Sequence, residues 1–340
     1  MKSRQQGLSL VELMIAITLG LVLSAAVIQV FLASRSSYRV QESLSLIQES
    51  ARFAMDYIGR EVRMAGYMGC NSTGGITPNV IAKPPADAEF QAVEGVDNVA
   101  SGNALGALPG TDVLNIRRSS SQAIRLTGNL TPNNANVQVE DNSLGFIQGD
   151  FVLISDCASA DIFRITNSPK ESGKGQTTLT HASNSNTSNK LSKIYGADAE
   201  VFGFVASTFF VRDTGRTTGG GNAVTSLYFR DRPIASGGVT SAATELVEGV
   251  ENLQLAYGID DDGDRSVDRY AGAASVTDWE EVLSVRVELT MVAMDEGVVG
   301  TTGSDNAQTV YDSAGNLINN ADGRMRQVFT SVFALRNRLP

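Results

Sequence analysis

The sequence is poor in the residues that most often build catalytic and metal sites. Its 340 residues include one histidine, His181, and two cysteines. His181 lies in a stretch rich in Ser, Thr and Asn, where we expect it to face solvent. A zinc site needs several ligands of this type, and a Ser-His-Asp triad needs its histidine in a cleft. The chain also lacks a Gly-Lys-Ser/Thr phosphate loop. We therefore predict no catalytic residues and do not expect an enzyme.

Basic residues are also in short supply. The 27 Lys and Arg are outnumbered by 37 Asp and Glu, which gives a formal net charge of −10. Nucleic-acid binding depends on a basic surface, so no nucleic-acid partner is predicted. The sequence also shows no cluster of basic or aromatic residues that would indicate a binding module.

The N-terminus has an unusual order of segments. Lys2 and Arg4 form a short basic leader that ends at Gly7, and an apolar run then extends to Ala33. A secretory signal has its cleavage site after the apolar core. Cleavage after Gly7 would instead leave the apolar run, which has about the 20 residues of a membrane-spanning helix, on the mature chain. The basic leader predicts a cytoplasmic N-terminus, with the rest of the chain across the membrane.

Glu12 is a single carboxylate near the start of this apolar run. A charge within a membrane helix costs about 2.5–3.5 kcal/mol on an insertion scale, so an isolated acid there calls for a partner. A plain signal-anchor is the alternative interpretation, but it gives Glu12 no role.

The segment Gly7-Leu8-Ser9-Leu10-Val11-Glu12-Leu13-Met14-Ile15-Ala16 resembles the class III signal of type IV prepilins. The resemblance implies that a prepilin peptidase cuts after Gly7 and methylates the new amine of Leu8, where many pilins have Phe. It also implies that Glu12 acts in subunit assembly. The amine of one subunit and Glu12 of its neighbour would neutralise each other at low dielectric constant.

Beyond the apolar run, the pattern becomes that of an amphipathic helix. Apolar residues recur at spacings of three and four, and Gly66 is suited to end the helix. These apolar residues are Leu44, Ile47, Ala51, Ala54, Ile58, Val62 and Ala65. We predict one helix from Leu8 to Ala65 after a leader at 1–7, with a transmembrane or filament-core part at 8–33 and an amphipathic stem at 34–66.

Residues 67–340 are predicted to form a β-rich globular head. A loop-rich stretch at 71–110 precedes short runs of alternating or β-branched residues. The predicted strands are Val113–Arg117, Phe151–Ile154, Ile162–Thr166, Val201–Val211, Thr225–Arg230, Leu253–Ile259, Val282–Val292 and Gln327–Leu335. Glu245–Val250 is expected to form a short helix. The fold class is therefore α+β, a type IV pilin fold in which a long N-terminal helix packs on a mostly antiparallel sheet.

Three further segments resemble the PilW family of minor type IV pilins. They are Gly66-Tyr67-Met68-Gly69-Cys70, residues 155–163 and the closing run at 328–339. The resemblance implies a low-abundance subunit that joins other minor pilins and the major pilin in a tip complex, primes filament assembly and carries a PilY-type tip protein. The subunit would sit in the inner membrane with a periplasmic head and later at the pilus tip. A GspJ-like pseudopilin of type II secretion and a tip adhesin remain as alternatives.

The two cysteines, Cys70 and Cys157, both lie on the non-cytoplasmic side in this topology. An even number of cysteines in an oxidising compartment favours a disulfide. We therefore predict a Cys70–Cys157 bond between the end of the stem and the second strand of the head; two free buried thiols are the alternative.

The densest acidic cluster runs from Asp260 to Asp268. Its members at relative positions 1, 3, 5 and 9 of a calcium loop are Asp260, Asp262, Asp264 and Asp268. The match is imperfect, because Arg265 occupies the glycine position and Ala271 the position of the bidentate Glu. A calcium site is one interpretation, and a solvated hairpin turn signalled by Asp-Gly is the other. No other cofactor is predicted.

Overall fold

The computed structural model describes residues 9–69, 71–72, 76–83, 91–128, 130, 132–133, 136–170 and 176–338. These residues form one α-helix, two short 3₁₀-helices at Ala273–Ser275 and Trp279–Glu281, and sixteen strands. In chain order the elements are α1 (Leu10–Met64), β1 (Tyr67–Met68), β2 (Asn71–Ser72), β3 (Asn79–Val80), β4 (Val93–Val96), β5 (Val113–Arg125), β6 (Val137–Val139), β7 (Phe151–Asp156), β8 (Ser159–Arg164), β9 (Thr177–Leu179), β10 (Glu200–Thr217), β11 (Ala223–Arg232), β12 (Thr244–Glu248), β13 (Val250–Ile259), β14 (Arg269–Ala271), β15 (Val282–Val292) and β16 (Arg326–Ala334).

Helix α1 is the longest element and confirms the prediction of one long N-terminal helix. Its 55 residues extend over about 80 Å. Ser9 caps its start in a reciprocal pair of contacts with Glu12, which is a capping box. The helix ends just before Gly66, whose φ of 71° is a left-handed conformation that glycine adopts without strain.

The two halves of α1 have opposite surroundings. In the N-terminal half every described side chain is exposed, whereas the C-terminal half buries one face against the head. The buried residues are Ser43, Ile47, Ala51, Ala54, Met55, Ile58, Gly59 and Val62. Because they repeat every three or four positions, a single stripe of the helix provides this contact.

This stripe packs against two sheets. The large sheet has eight strands in the order β12-β11-β10-β7-β8-β3, and β5 and β4 join it through β10. The C-terminal sheet has four strands in the order β14-β13-β15-β16. Pairing is antiparallel except between β3 and β8, and β1–β2 and β6–β9 form separate two-stranded pairs.

The main core lies where α1 meets both sheets. It joins Ile58 of the helix to Phe209 of the large sheet and to Val287 of the C-terminal sheet. A second core, which includes Phe163 and Tyr195, fills the space beneath β6 and β9. Each sheet is thus fixed to the helix and, through it, to the other sheet.

The C-terminal residues also fasten the end of the helix. The side-chain amide of Asn337 donates to the carbonyl oxygen of Ala65 at 2.8 Å. The buried guanidinium of Arg338 donates to the carbonyl oxygens of Trp279 and Val282. The closing run therefore joins the helix terminus to the start of β15.

Two sequence-based expectations in the head were wrong. Glu245–Val250 is not a short helix, because residues 244–248 form β12, which pairs with β11 at the edge of the large sheet. His181 does not face solvent, since its side chain is 3% exposed and packs on Phe163 with ring centroids 5.3 Å apart. The region at 71–110, expected as loop, contains the short strands β2, β3 and β4. All eight predicted strands are present; Val282–Val292 has the predicted bounds and the other seven differ at one or both ends.

A glycine in α1 allows close contact with the closing strand. A Cβ atom at Gly59 would lie 2.4 Å from a ring carbon of Phe333. Phe333 is 8% exposed and also packs under the guanidinium of Arg63, 5.5 Å from its ring centroid. The missing side chain at position 59 is therefore what lets β16 approach the helix.

This contact predicts a coupled pair of substitutions. We expect Gly59→Ala to lower the free energy of unfolding by about 1–3 kcal/mol, because the added methyl group overlaps the ring. In a Phe333→Ala background the same change is expected to be neutral or to stabilise by up to about 1 kcal/mol, since Ala favours helix more than Gly does. Denaturant unfolding of the four proteins in detergent measures this cycle, and equal effects in both backgrounds would contradict it.

Asp112 links the two sheets at the start of β5. Its carboxylate accepts the backbone N–H groups of Asn98 at 2.8 Å and of Leu255, in β13, at 2.7 Å. The side chain is buried, and this burial raises the pKa of Asp112 from its ordinary value of 3.8 to about 6. The two hydrogen bonds oppose the shift, and the nearby Asp97 adds to it.

The raised pKa of Asp112 predicts a pH dependence of stability. The folded chain binds this proton more tightly than the unfolded chain, so the stabilisation is complete below about pH 4 and is lost as the pH rises to about 6. Two pKa units correspond to about 3 kcal/mol. We expect Asp112→Asn to flatten the fall in stability between these pH values. Unfolding curves of both proteins across that range test this, and parallel pH profiles would refute it.

Candidate functional site

The N-terminal half of α1 presents a continuous apolar surface. Large side chains from Leu10 to Leu32 are more than half exposed. This helix contains a segment long and apolar enough to cross a membrane, and none of that segment is buried in the molecule. A surface of this size requires a membrane or protein partners to cover it.

Glu12 lies at the first turn of this surface. One of its carboxylate oxygens accepts both the backbone N–H of Ser9 at 2.9 Å and its hydroxyl at 3.0 Å, while the N–H of Glu12 donates to the Ser9 hydroxyl. Glu12 is the only charged residue between Ser9 and Arg35. The capping box thus holds the single acid of the apolar half close to the start of the helix.

The predicted processing residues and one predicted disulfide partner lie outside the described residues. These are Gly7, Leu8 and Cys70. Cys157 lies in the turn between β7 and β8. The specific pairing of Cys70 with Cys157 stays a prediction.

The head reaches down to the lower end of the stem. Arg39 donates from its guanidinium to the carbonyl oxygen of Glu296 at 2.8 Å. Glu296 belongs to the long connection between β15 and β16. An ion-pair network of Arg324 and Arg326 with Glu251 and Asp322, at distances of 2.6–3.1 Å, anchors the end of this connection to β13.

The acidic loop joins β13 to β14 and brings three carboxylates together. Oxygens of Asp260, Asp262 and Asp268 all lie within 4.8 Å of one another. Asp260 is buried at the end of β13, and its two oxygens accept the N–H groups of Gly263 and Arg265. The group could hold a divalent cation, but the same contacts also build a hairpin turn.

Asp264, the fourth predicted ligand, is not part of this group of carboxylates. Its side chain accepts both the hydroxyl of Ser266 at 2.6 Å and its N–H at 2.8 Å. These two bonds lower the pKa of Asp264. Asp261 also points elsewhere, since it forms a bidentate ion pair with Arg269.

The paired Phe209 and Phe210 and the single tryptophan, Trp279, pack in or against the core. Phe209 and Phe210 are fully buried, and Trp279 packs edge-on against Tyr257 at 4.8 Å between ring centroids. These three side chains therefore support the sheets.

Sequence inspection missed a basic cavity on the outer face of the large sheet. Strands β5 and β11 flank β10 there and bring Arg117, Arg230 and Arg232 to one cavity of about 420 Å³. The only local signal was the alternation of Arg230 and Arg232, which places both side chains on one face of a strand. Arg117 joins them only through the register of the sheet.

Comparison with known families agrees with both ends of the molecule. The model for the prokaryotic N-terminal methylation motif matches residues 2–28, and the model for type IV pilus-assembly protein W matches residues 208–337. The chain carries a PilW domain. This PilW domain runs from the middle of β10 to the closing residues and contains the acidic loop. The chain has no significant match among curated proteins or solved structures.

The acidic loop of the PilW domain gives a test for calcium. We expect Asp262→Asn to abolish calcium binding and Asp264→Asn to leave it unchanged, because only Asp262 belongs to the group of three carboxylates. The two variants are well matched: each side chain is exposed and accepts the N–H two residues further on. Calorimetric titration of the full chain in detergent measures binding. A turn without metal gives no heat at millimolar calcium, and equal loss in both variants excludes the three-carboxylate site.

Proposed function

We propose that this chain is a minor type IV pilin that joins a priming complex at the tip of the filament. The observation that carries the proposal is the presence of a methylation motif and a PilW domain at opposite ends of one molecule. The exposed apolar half of α1 supports this function, because such a helix suits a subunit that passes from a membrane into a filament core.

Processing by a prepilin peptidase would precede assembly. Cleavage after Gly7 and methylation of Leu8 would place the new amine one residue before Ser9, the N-cap of α1. Glu12 would then lie in the first turn of the mature helix, where a negative charge is favourable. We propose that Glu12 also pairs with the amine of a neighbouring subunit, which would neutralise both charges in an apolar environment.

The proposed partners follow from this assembly. They are the other minor pilins and the major pilin along the helix, and a PilY-type tip protein at the head. The subunit would wait in the inner membrane with its head in the periplasm and later stand at the pilus tip. Its role would be structural, since the PilW family suggests a non-enzymatic protein.

Substitutions at the helix start separate charge pairing from helix capping. Gln can replace Glu in a capping box, so Glu12→Gln keeps the cap and removes the charge. We expect this variant to be processed and inserted but to give at least tenfold fewer surface pili. Glu12→Ala, which loses both properties, is expected to assemble no better. Immunoblots of membrane and sheared-filament fractions, with pilus counts by microscopy, provide the measurements.

Ser9→Ala serves as the matched control for these variants. It removes the cap and keeps the charge, so we expect it to assemble far better than Glu12→Gln. Normal piliation with Glu12→Gln would contradict the pairing of Glu12 with a neighbouring amine.

A deletion separates the two kinds of filament in which such a subunit could act. Loss of surface pili with normal exoprotein release supports the minor-pilin proposal. Intact pili with blocked exoprotein release would instead identify a GspJ-like pseudopilin.

A further inference from the structure

The basic cavity lies on the side of the large sheet that faces away from α1. The register of the strands brings together the residues at the floor of the cavity. Arg117 and Arg232 are the register partners of Ala206 on the two sides of β10, and Asn115 and Arg230 are those of Thr208. Opposed residues in a sheet share a face, so these side chains point to the same side. Val239 and Thr240, in the connection from β11 to β12, form its rim.

The charge of this cavity contrasts with the rest of the chain. Three guanidinium groups line it in a protein whose net charge is −10, and its described lining contains no Asp or Glu. Glu94 compensates Arg117 from one side at 3.0 Å. Within the described part of the chain, Arg230 forms no ion pair. Arg230 therefore brings to the cavity a positive charge that no described carboxylate pairs with.

The cavity is also preorganised. The guanidinium of Arg232 is 4.7 Å from the ring centroid of Phe151, which holds this buried side chain over an aromatic face. The hydroxyl of Thr208 donates to the side-chain oxygen of Asn115 at 2.8 Å. With its oxygen engaged, Asn115 has its amide N–H groups to offer as donors. The polar groups at the floor are thus mainly hydrogen-bond donors.

Such a donor set fits carboxylates. A guanidinium matches the two oxygens of a carboxylate in a bidentate arrangement. In this cavity, two guanidinium nitrogens of Arg117 already donate to one carboxylate oxygen of Glu94. We propose that this cavity binds the carboxylate side chains of an acidic polypeptide segment. The exposed Val239 on the rim gives such a segment an apolar contact. A nucleic acid requires a basic track along several phosphates, and this is one cavity on an acidic molecule.

This proposal does not depend on the proposed function, because binding is measured on the isolated protein. The full chain in detergent is titrated at low salt against a fluorescein-labelled oligoglutamate peptide, and anisotropy reports binding. An oligoglutamine peptide of equal length is the neutral control. We expect the acidic peptide alone to bind, and its affinity to fall as salt screens the charges.

Substitutions in the cavity locate the binding site. We expect Arg230→Gln to weaken oligoglutamate binding about tenfold and Arg230→Glu to abolish it. The matched control is Arg125→Gln, which removes an exposed arginine of the same sheet outside the cavity. Val239→Asp adds a negative charge at an exposed rim position, and we expect it to weaken binding as well.

Three results would overturn the proposal. The first is equal affinity of the wild-type chain and Arg230→Glu for oligoglutamate. The second is binding of free glutamate or inorganic phosphate as tight as that of the peptide, which would indicate a small-anion site. The third is preferential binding of a single-stranded oligonucleotide that Arg230→Glu abolishes, which would indicate a nucleic-acid site.

Discussion

The burial of one stripe of α1 by two sheets at once is the constraint on which the head depends. The main core needs all three parts, because Phe209 of the large sheet and Val287 of the C-terminal sheet both meet the helix there. Helix side chains at this boundary must therefore be small or well fitted, and Gly59 under Phe333 is the tightest example. The C-terminal residues complete the arrangement, because Asn337 fixes the carbonyl at the helix end and Arg338 fixes the turn that leads into β15.

The sequence was sufficient for features that depend on local pattern. Helix α1 has a clear period, and the main strands alternate or carry β-branched residues, so both were predicted. It was insufficient where contact with a residue distant in the chain determines the local structure. Glu245–Val250 was expected as a short helix, but pairing with β11 makes residues 244–248 a strand. His181 has polar neighbours in the chain but Phe163 against it in space. Arg117 reaches the basic cavity only through the register of β5 on β10.

The candidate sites followed the same division. Glu12 could be proposed as an assembly residue because it lies in a short motif with fixed spacing. In the acidic loop, the spacing suggested four ligands. The structure leaves Asp264 out, because its carboxylate accepts the N–H of Ser266 and is turned away from the other three. The family models match the methylation motif and the PilW domain, and residues 29–207 lie between the two matches. That interval holds the whole amphipathic stem and five of the eight strands of the large sheet.

The contact between Arg39 and Glu296 holds the head against α1 close to the end of the apolar segment. Below it, the apolar part of α1 is roughly 35 Å long, close to the roughly 30 Å thickness of a bilayer's hydrocarbon layer. No flexible spacer separates the head from this rod. A pull or a twist applied to the head is therefore transmitted directly to the apolar helix. The apolar segment moves and rotates together with the head.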